Sequence, residues 1–302
     1  MYSAACKAYL EDCAVRMQPN TIIRKMRHLK RLASDAGADF PLLKLTVDDV
    51  RRHLASVQNT YGSKVANEAL KELKALWNWH RVHNPWREIY PYPEDEPAKY
   101  VPPPEDVAAV LLVATGFQRD FLALMIRTAA RESELLRLTW DDVSLENRAI
   151  RLWTRKRKGG GKQSRVLPLS NEALDIMSRR WKARPKDAPG YVFVNPQTGT
   201  AYTRLQHPIR YMLLRLCRMA GVRQFGFHSL RHYTSQRLMD SGKATLREIQ
   251  TILGHQRATT TDVYLRSLSP DLKHMADILD EVVTPQDFPK SGNEVRQRGG
   301  EK

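Results

Sequence analysis

Four residues that can act on a phosphate fall within one stretch, Phe227–Leu265: His228, Arg231, His255 and Tyr264. His228-Ser229-Leu230-Arg231 reads as the first turn of a helix, which puts His228 and Arg231, three apart, on one face. Gly254-His255 closes the next short apolar stretch, and Tyr264 follows nine residues later. Attack on a phosphodiester builds charge on the non-bridging oxygens, and two guanidiniums can meet it with forked, permanently charged donors. Arg131 and Arg231 are the candidates. A tyrosine is a weak nucleophile at neutral pH, so it needs that positive field and a proton acceptor nearby. The histidines can exchange protons near neutrality, and a lysine can protonate the departing 5′ oxygen. Because a phosphotyrosine conserves the energy of the broken bond, resealing would need neither ATP nor a divalent cation.

The same residues admit other readings. His228 and His232 stand four apart, but His-Ser-Leu-Arg-His lacks the glutamate of a zinc-protease helix and no third ligand is evident, so no metal is expected. No cofactor is expected either. Arg131 directly follows an apolar run, at the edge of a core where it needs an anion, and Glu134 could serve as that partner instead of a phosphate. Gly159-Gly160-Gly161 lies in the basic run Arg155–Lys162, without the spacing of a phosphate-cradling P-loop.

Lys and Arg outnumber Asp and Glu by 49 to 33, a net charge of +16, which points to a polyanionic partner, DNA or RNA. Cys6, Cys13 and Cys217 form no CxxC pair, which fits a reducing cytoplasm. The N-terminus interleaves charges with its apolar residues, unlike a signal peptide, and the apolar run 107–117 is too short to span a bilayer. No membrane partner is expected.

The elements that must hold the site follow from periodicity. Ser3 to about Val82 is helical in pattern. Pro19 opens a helix with Ile22, Met26, Leu29 and Ala33 as the apolar stripe, and Arg24, Lys25 and Arg27 on the remainder are candidate DNA contacts. Thr46 and Asp49 resemble a capping box, and a third helix covers Lys64–Val82. Seven prolines between Pro85 and Pro104 make Asn84–Pro104 an extended linker, unable to hold a helix or a central strand. Helices then cover Glu105–Thr115 and Asp120–Ala130. Ala149–Thr154 and Ser164–Leu169 alternate with period two around a glycine-rich hairpin tip, whose Lys158 and Lys162 could reach a DNA groove. Ser170 caps a helix to about Ala183, Tyr191–Val194 suggests a short strand, and Leu205–Ala220 a helix. Asp271–Val282 forms a last helix, and the polar stretch from Thr284 is expected to be disordered. The expected domains are 1–84, a linker 85–104, 105–270, and 271–302 as a terminal helix and tail.

Three boxes, in this order, resemble those of the tyrosine recombinases, the phage integrase and Xer group. They are Thr128-Ala129-Ala130-Arg131-Glu132-Ser133-Glu134-Leu135, then His228-Ser229-Leu230-Arg231-His232, then Leu253-Gly254-His255-Gln256 with Tyr264. Ala129-Ala130 stands where the family often has Gly-Leu. The resemblance implies a fold that is mainly α with a small β-sheet (α+β): an all-α, SAM-like core-binding domain plus a mixed α/β catalytic domain. It implies that Arg131, His228, Arg231 and His255 surround the scissile phosphate and that Tyr264 forms a 3′-phosphotyrosine. The family lysine sits on the hairpin, where Lys156 is preferred to Lys158. It further implies a site-specific recombinase acting on double-stranded DNA at an inverted-repeat site. That enzyme would assemble as a tetramer on DNA and work in the cytoplasm, at the nucleoid. No separate arm-binding domain is visible, and the apolar face of the last helix would suit docking on a neighbouring protomer. Two alternatives stay open: a topoisomerase IB-like nicking and closing enzyme, and a non-enzymatic DNA-binding regulator using a helix-turn-helix within His228–Thr251.

Overall fold

A computed structural model describes residues 1–37, 39–95, 100–154, 163–185, 190–195, 198–202, 208–254 and 270–283. Lys156, Lys158, Lys162, His255 and Tyr264 lie outside the described residues, as does the stretch from Thr284. Among the described residues the chain is mainly helical with one small antiparallel sheet, and it forms two compact units that divide between Ala98 and Lys99.

The first unit contains α1 (Tyr2–Arg16), α2 (Pro19–Asp35), α3 (Val47–Tyr61) and α4 (Ser63–Trp79). Pro19 sits at the start of α2, where its missing N–H costs no helical bond. The Thr46–Asp49 capping box opens α3, as its spacing predicts. Gly62, at φ +86°, turns the chain from α3 into α4. Leu29, Leu32, Leu54, Leu73, Leu76 and Trp77 close the core.

The buried face of α2 differs from the expected stripe: it runs through Lys25, His28, Leu29 and Leu32. Lys25 is therefore not a surface cation. Its ammonium is buried, donates to the Tyr9 hydroxyl at 2.9 Å and pairs with Glu72. Partners on α1 and α4 make that burial tolerable, and helical spacing within α2 cannot reveal them. Arg24 and Arg27 do stay exposed.

The proline-rich stretch is not extended at its start. Pro85–Glu88 forms a 3-10 turn whose Trp86 is fully buried against Trp77, ring centroids 5.1 Å apart and nearly perpendicular. Asn84 fixes the turn, accepting from the Trp86 backbone N–H and donating to the Lys74 carbonyl. Proline supplies the geometry of a tight 3-10 start, and tryptophan the apolar surface that holds it down.

The second unit contains α5 (Pro104–Val113), α6 (Gly116–Thr128), α7 (Glu132–Leu135), β1 (Val143–Ser144), β2 (Ala149–Thr154), β3 (Gln163–Pro168) and α8 (Asn171–Ala183). It continues with α9 (Pro208–Met219), α10 (Phe227–Asp240), α11 (Leu246–Leu253) and α12 (Pro270–Val283). The sheet order is β1-β2-β3, and the register sets Ile150 opposite Leu167 and Leu152 opposite Arg165. From Asp120 to Thr128 every residue of α6 is buried, which accounts for its nearly continuous apolar sequence. The cation within that buried span, Arg127, pairs with Glu172 and lies 3.4 Å from the Asp280 carboxylate. Tyr191–Val194 is not a strand of the sheet: it makes two isolated bridges, Thr139 with Tyr191 and Val194 with Ala201.

In α12, Met275, Ala276, Ile278 and Leu279 are buried, and all but Ala276 belong to the cluster built on α6 and α10. The face expected to suit a neighbouring protomer is thus occupied by its own chain in this structure. Polar ties reinforce the docking, from Arg237 Nε to the Val282 carbonyl at 3.2 Å and between His274 and Glu248 at 3.1 Å. Among the described residues, no helix is long and apolar enough to cross a membrane.

Candidate active site

α6 stops at Thr128 because Ala129 turns left-handed, at φ +46°, and after Ala130 the chain re-enters a helix at Arg131, the N-cap of α7. Glu134, three residues into that turn, accepts the Arg131 backbone N–H at 2.9 Å and its Nη1 at 2.7 Å. Arg131 and Glu134 therefore do form an ion pair, and it orients Arg131 locally.

A second cation shares that carboxylate. Arg165, on β3, meets Glu134 with both terminal nitrogens, Nη1 to Oε1 at 3.0 Å and Nη2 to Oε2 at 2.8 Å. Its Nε donates to the Ile252 carbonyl at 2.9 Å, near the end of α11. Burial alone would raise the Glu134 carboxyl, yet the hydrogen bonds and charge of Arg165, followed by the donors of Arg131, hold it at about 2.

Arg231 enters from the first turns of α10 and is buried. Its Nη1 donates to the Ala129 carbonyl and its Nη2 to the Leu253 carbonyl. Burial, and then the nearby charges of Arg131 and Arg165, push its pKa down to about 9, and Glu134 only partly offsets them. It stays cationic at neutral pH. His228 is exposed one turn earlier, with its ring edge-on to His232 at a centroid distance of 4.4 Å. α11, opened by a Thr245–Glu248 capping box, ends at Gly254 with φ +60°, and the chain leaves this turn toward His255.

The described residues thus bring Arg131 and Arg231 together, place His228 at the rim of the same helix, and deliver the chain to His255. Arg165 was missed by sequence reasoning. An arginine in β3 passes for a solvent-facing residue, although its alternation with the buried Leu167 and Leu169 was a signal that it points inward. Three guanidiniums gathered around one carboxylate leave an excess of positive charge in a partly desolvated place, which suits a bound phosphate. No group of three or more potential metal ligands occurs among the described residues.

Residues 114–269, just over half of the chain, match the model of the phage integrase family. The chain belongs to that family. A tyrosine recombinase XerC of Corynebacterium efficiens is 34% identical over 152 residues, 49% of this chain and 46% of that protein. A tyrosine recombinase XerA of Thermococcus kodakarensis is 26% identical over 82% of this chain and 85% of its own length. The chain spans about half the length of the XerC relatives it matches. Among solved structures, a lambda integrase (75–356) dimer bound to a COC′ core site shares the fold of this family member. It has a TM-score of 0.68 at 14% identity and covers 87% of this chain and 99% of that one.

Proposed function

We propose that the protein is a site-specific DNA recombinase that cuts and rejoins strands through Tyr264, without metal or ATP. The observation that carries this is the arginine cluster: Arg131, Arg165 and Arg231 against the single carboxylate of Glu134. Such a cluster is costly to assemble unless an anion completes it, and membership of the phage integrase family supports reading that anion as the scissile phosphate. Arg131 and Arg231 would hold the non-bridging oxygens. His228 and His255 would handle protons, and Lys156, in preference to Lys158, would protonate the departing 5′ oxygen. Tyr264 would attack and leave a 3′-phosphotyrosine, which the freed 5′ hydroxyl reverses.

The helical unit ending at Ala98 would serve as the core-binding domain, with Arg24 and Arg27 on DNA, and Lys158 and Lys162 would contact DNA from the hairpin tip. Residues 105–270 would be the catalytic domain. The substrate would be double-stranded DNA with an inverted-repeat site, bound by four protomers in the cytoplasm, at the nucleoid.

The test uses the full chain in EDTA with nicked duplexes tiled across the DNA flanking its gene, together with a pool randomised around the nick. The wild type is expected to form an adduct stable on denaturing gels and Tyr264→Phe none. Failure of the wild type on every duplex would refute the enzyme reading and favour a DNA-binding regulator. Recombinants from two copies of the captured site separate a recombinase from a nicking and closing enzyme.

A further inference from the structure

We propose that Arg165 is a positioning residue for strand cleavage. From β3 it fixes Glu134, and through it Arg131, while holding the end of α11 from which the chain runs on to His255. This rests on the recombinase reading above.

Arg165 is spent inward in every direction. Its side chain is 11% exposed, two nitrogens lie on Glu134 and the third on the Ile252 carbonyl. Gly254 packs against it so closely that a Cβ at that position would come within 3.1 Å of Nη1. Each oxygen of Glu134 accepts from both arginines: Oε1 from Nη1 of Arg131 and of Arg165, Oε2 from the Arg131 backbone N–H and from Nη2 of Arg165.

This sharing has a chemical consequence. A carboxylate bound by Arg131 alone would neutralise it and draw its guanidinium inward. Saturated by Arg165, the same carboxylate orients Arg131 while the cluster keeps its surplus positive charge for phosphate. The Nε contact ties the last turn of α11 to the strand that leads from the hairpin. One side chain therefore couples three chain segments: the first arginine box, the hairpin strand and the turn before His255. Lysine is a poor replacement, because its compact ammonium lacks the planar fork that spreads three nitrogens over both carboxylate oxygens and the carbonyl.

The experiment takes the duplex captured by the wild type and measures single-turnover adduct formation for Arg165→Lys, Arg165→Leu, Glu134→Gln and the double variant Arg165→Leu/Glu134→Gln. DNA affinity is read in the Tyr264→Phe background and folding by thermal melting. Arg165→Lys keeps the charge and is expected to stay folded at the assay temperature. It should nonetheless slow adduct formation about 100-fold, the scale of a misplaced catalytic group, with no matching loss of DNA affinity. The double variant should be no slower than the slower single variant, since both act through one network. An Arg165→Lys protein that cleaves at the wild-type rate, or rate losses that multiply, would overturn the assignment while leaving the recombinase reading intact. If the wild type forms no adduct on any duplex, both fall together.

Discussion

Lys25 on α2 and Glu72 on α4 form an ion pair inside the first unit, each side chain only 8% exposed. Breaking one half leaves the other charge buried without its partner. Lys25→Met is expected to cost about 3–5 kcal/mol in urea unfolding, and adding Glu72→Leu should recover most of it. A Lys25→Met variant as stable as the wild type would show that the pair is not buried in solution. By contrast, Arg24→Ala and Arg27→Ala should leave stability nearly unchanged and lower the salt dependence of DNA binding by about one phosphate contact each.

Glu134 carries a pH signature. Its folded pKa, about 2, lies below the ordinary 4.5. Its contribution is therefore complete above about pH 4.5 and fades as the pH falls toward 2, because the unfolded chain takes up the proton first. The stake at neutral pH is on the order of 3 kcal/mol. Urea midpoints of the wild type and Glu134→Gln, followed from pH about 6 to about 3, should converge on acidification; two parallel curves would contradict this.

Ala129 combines full burial with a left-handed backbone. Ala129→Gly relieves that conformation and loses one methyl, so its stability should stay within about 1 kcal/mol of the wild type. Ala129→Val adds a branch that the left-handed region disfavours, and should cost at least about 2 kcal/mol. Thermal melting that ranks glycine below valine would refute the left-handed turn.

The docking of α12 on its own chain can be read from concentration dependence. Leu279 is 3% exposed, so Leu279→Ala should cost about 2–5 kcal/mol. If the helix packs within its own chain, the loss is the same at every protein concentration. A melting point that rises with concentration would place the helix on another protomer instead.

Much of this arrangement was legible because it depends on neighbours in sequence. The capping pair Thr46 and Asp49, the cap at Ser170 and the apolar span of α6 are local signals, and the structure repeats them. That Arg131 and Arg231 come near each other was legible from the two boxes that carry them. Residues whose role depends on another element were not. Lys25 looked like surface charge because Tyr9 and Glu72 lie on other helices, and Trp86 looked like linker because its partner Trp77 is on α4. Arg165 was hidden for the same reason, since its partners Glu134 and Ile252 are 31 and 87 residues away.

Arg231 reaches the carbonyls of Ala129 and Leu253, which are the C-cap of α6 and the last residue of α11. Its guanidinium therefore serves as a shared C-terminal cap, placed where two helix dipoles present their negative ends. Those ends offset only part of the repulsion of Arg131 and Arg165, and the rest is left for an anion to relieve. Removing it would fray two helices at once, and a loss of cleavage in an Arg231 variant would mix catalysis with stability. A clean inactive control has to be made at the nucleophile.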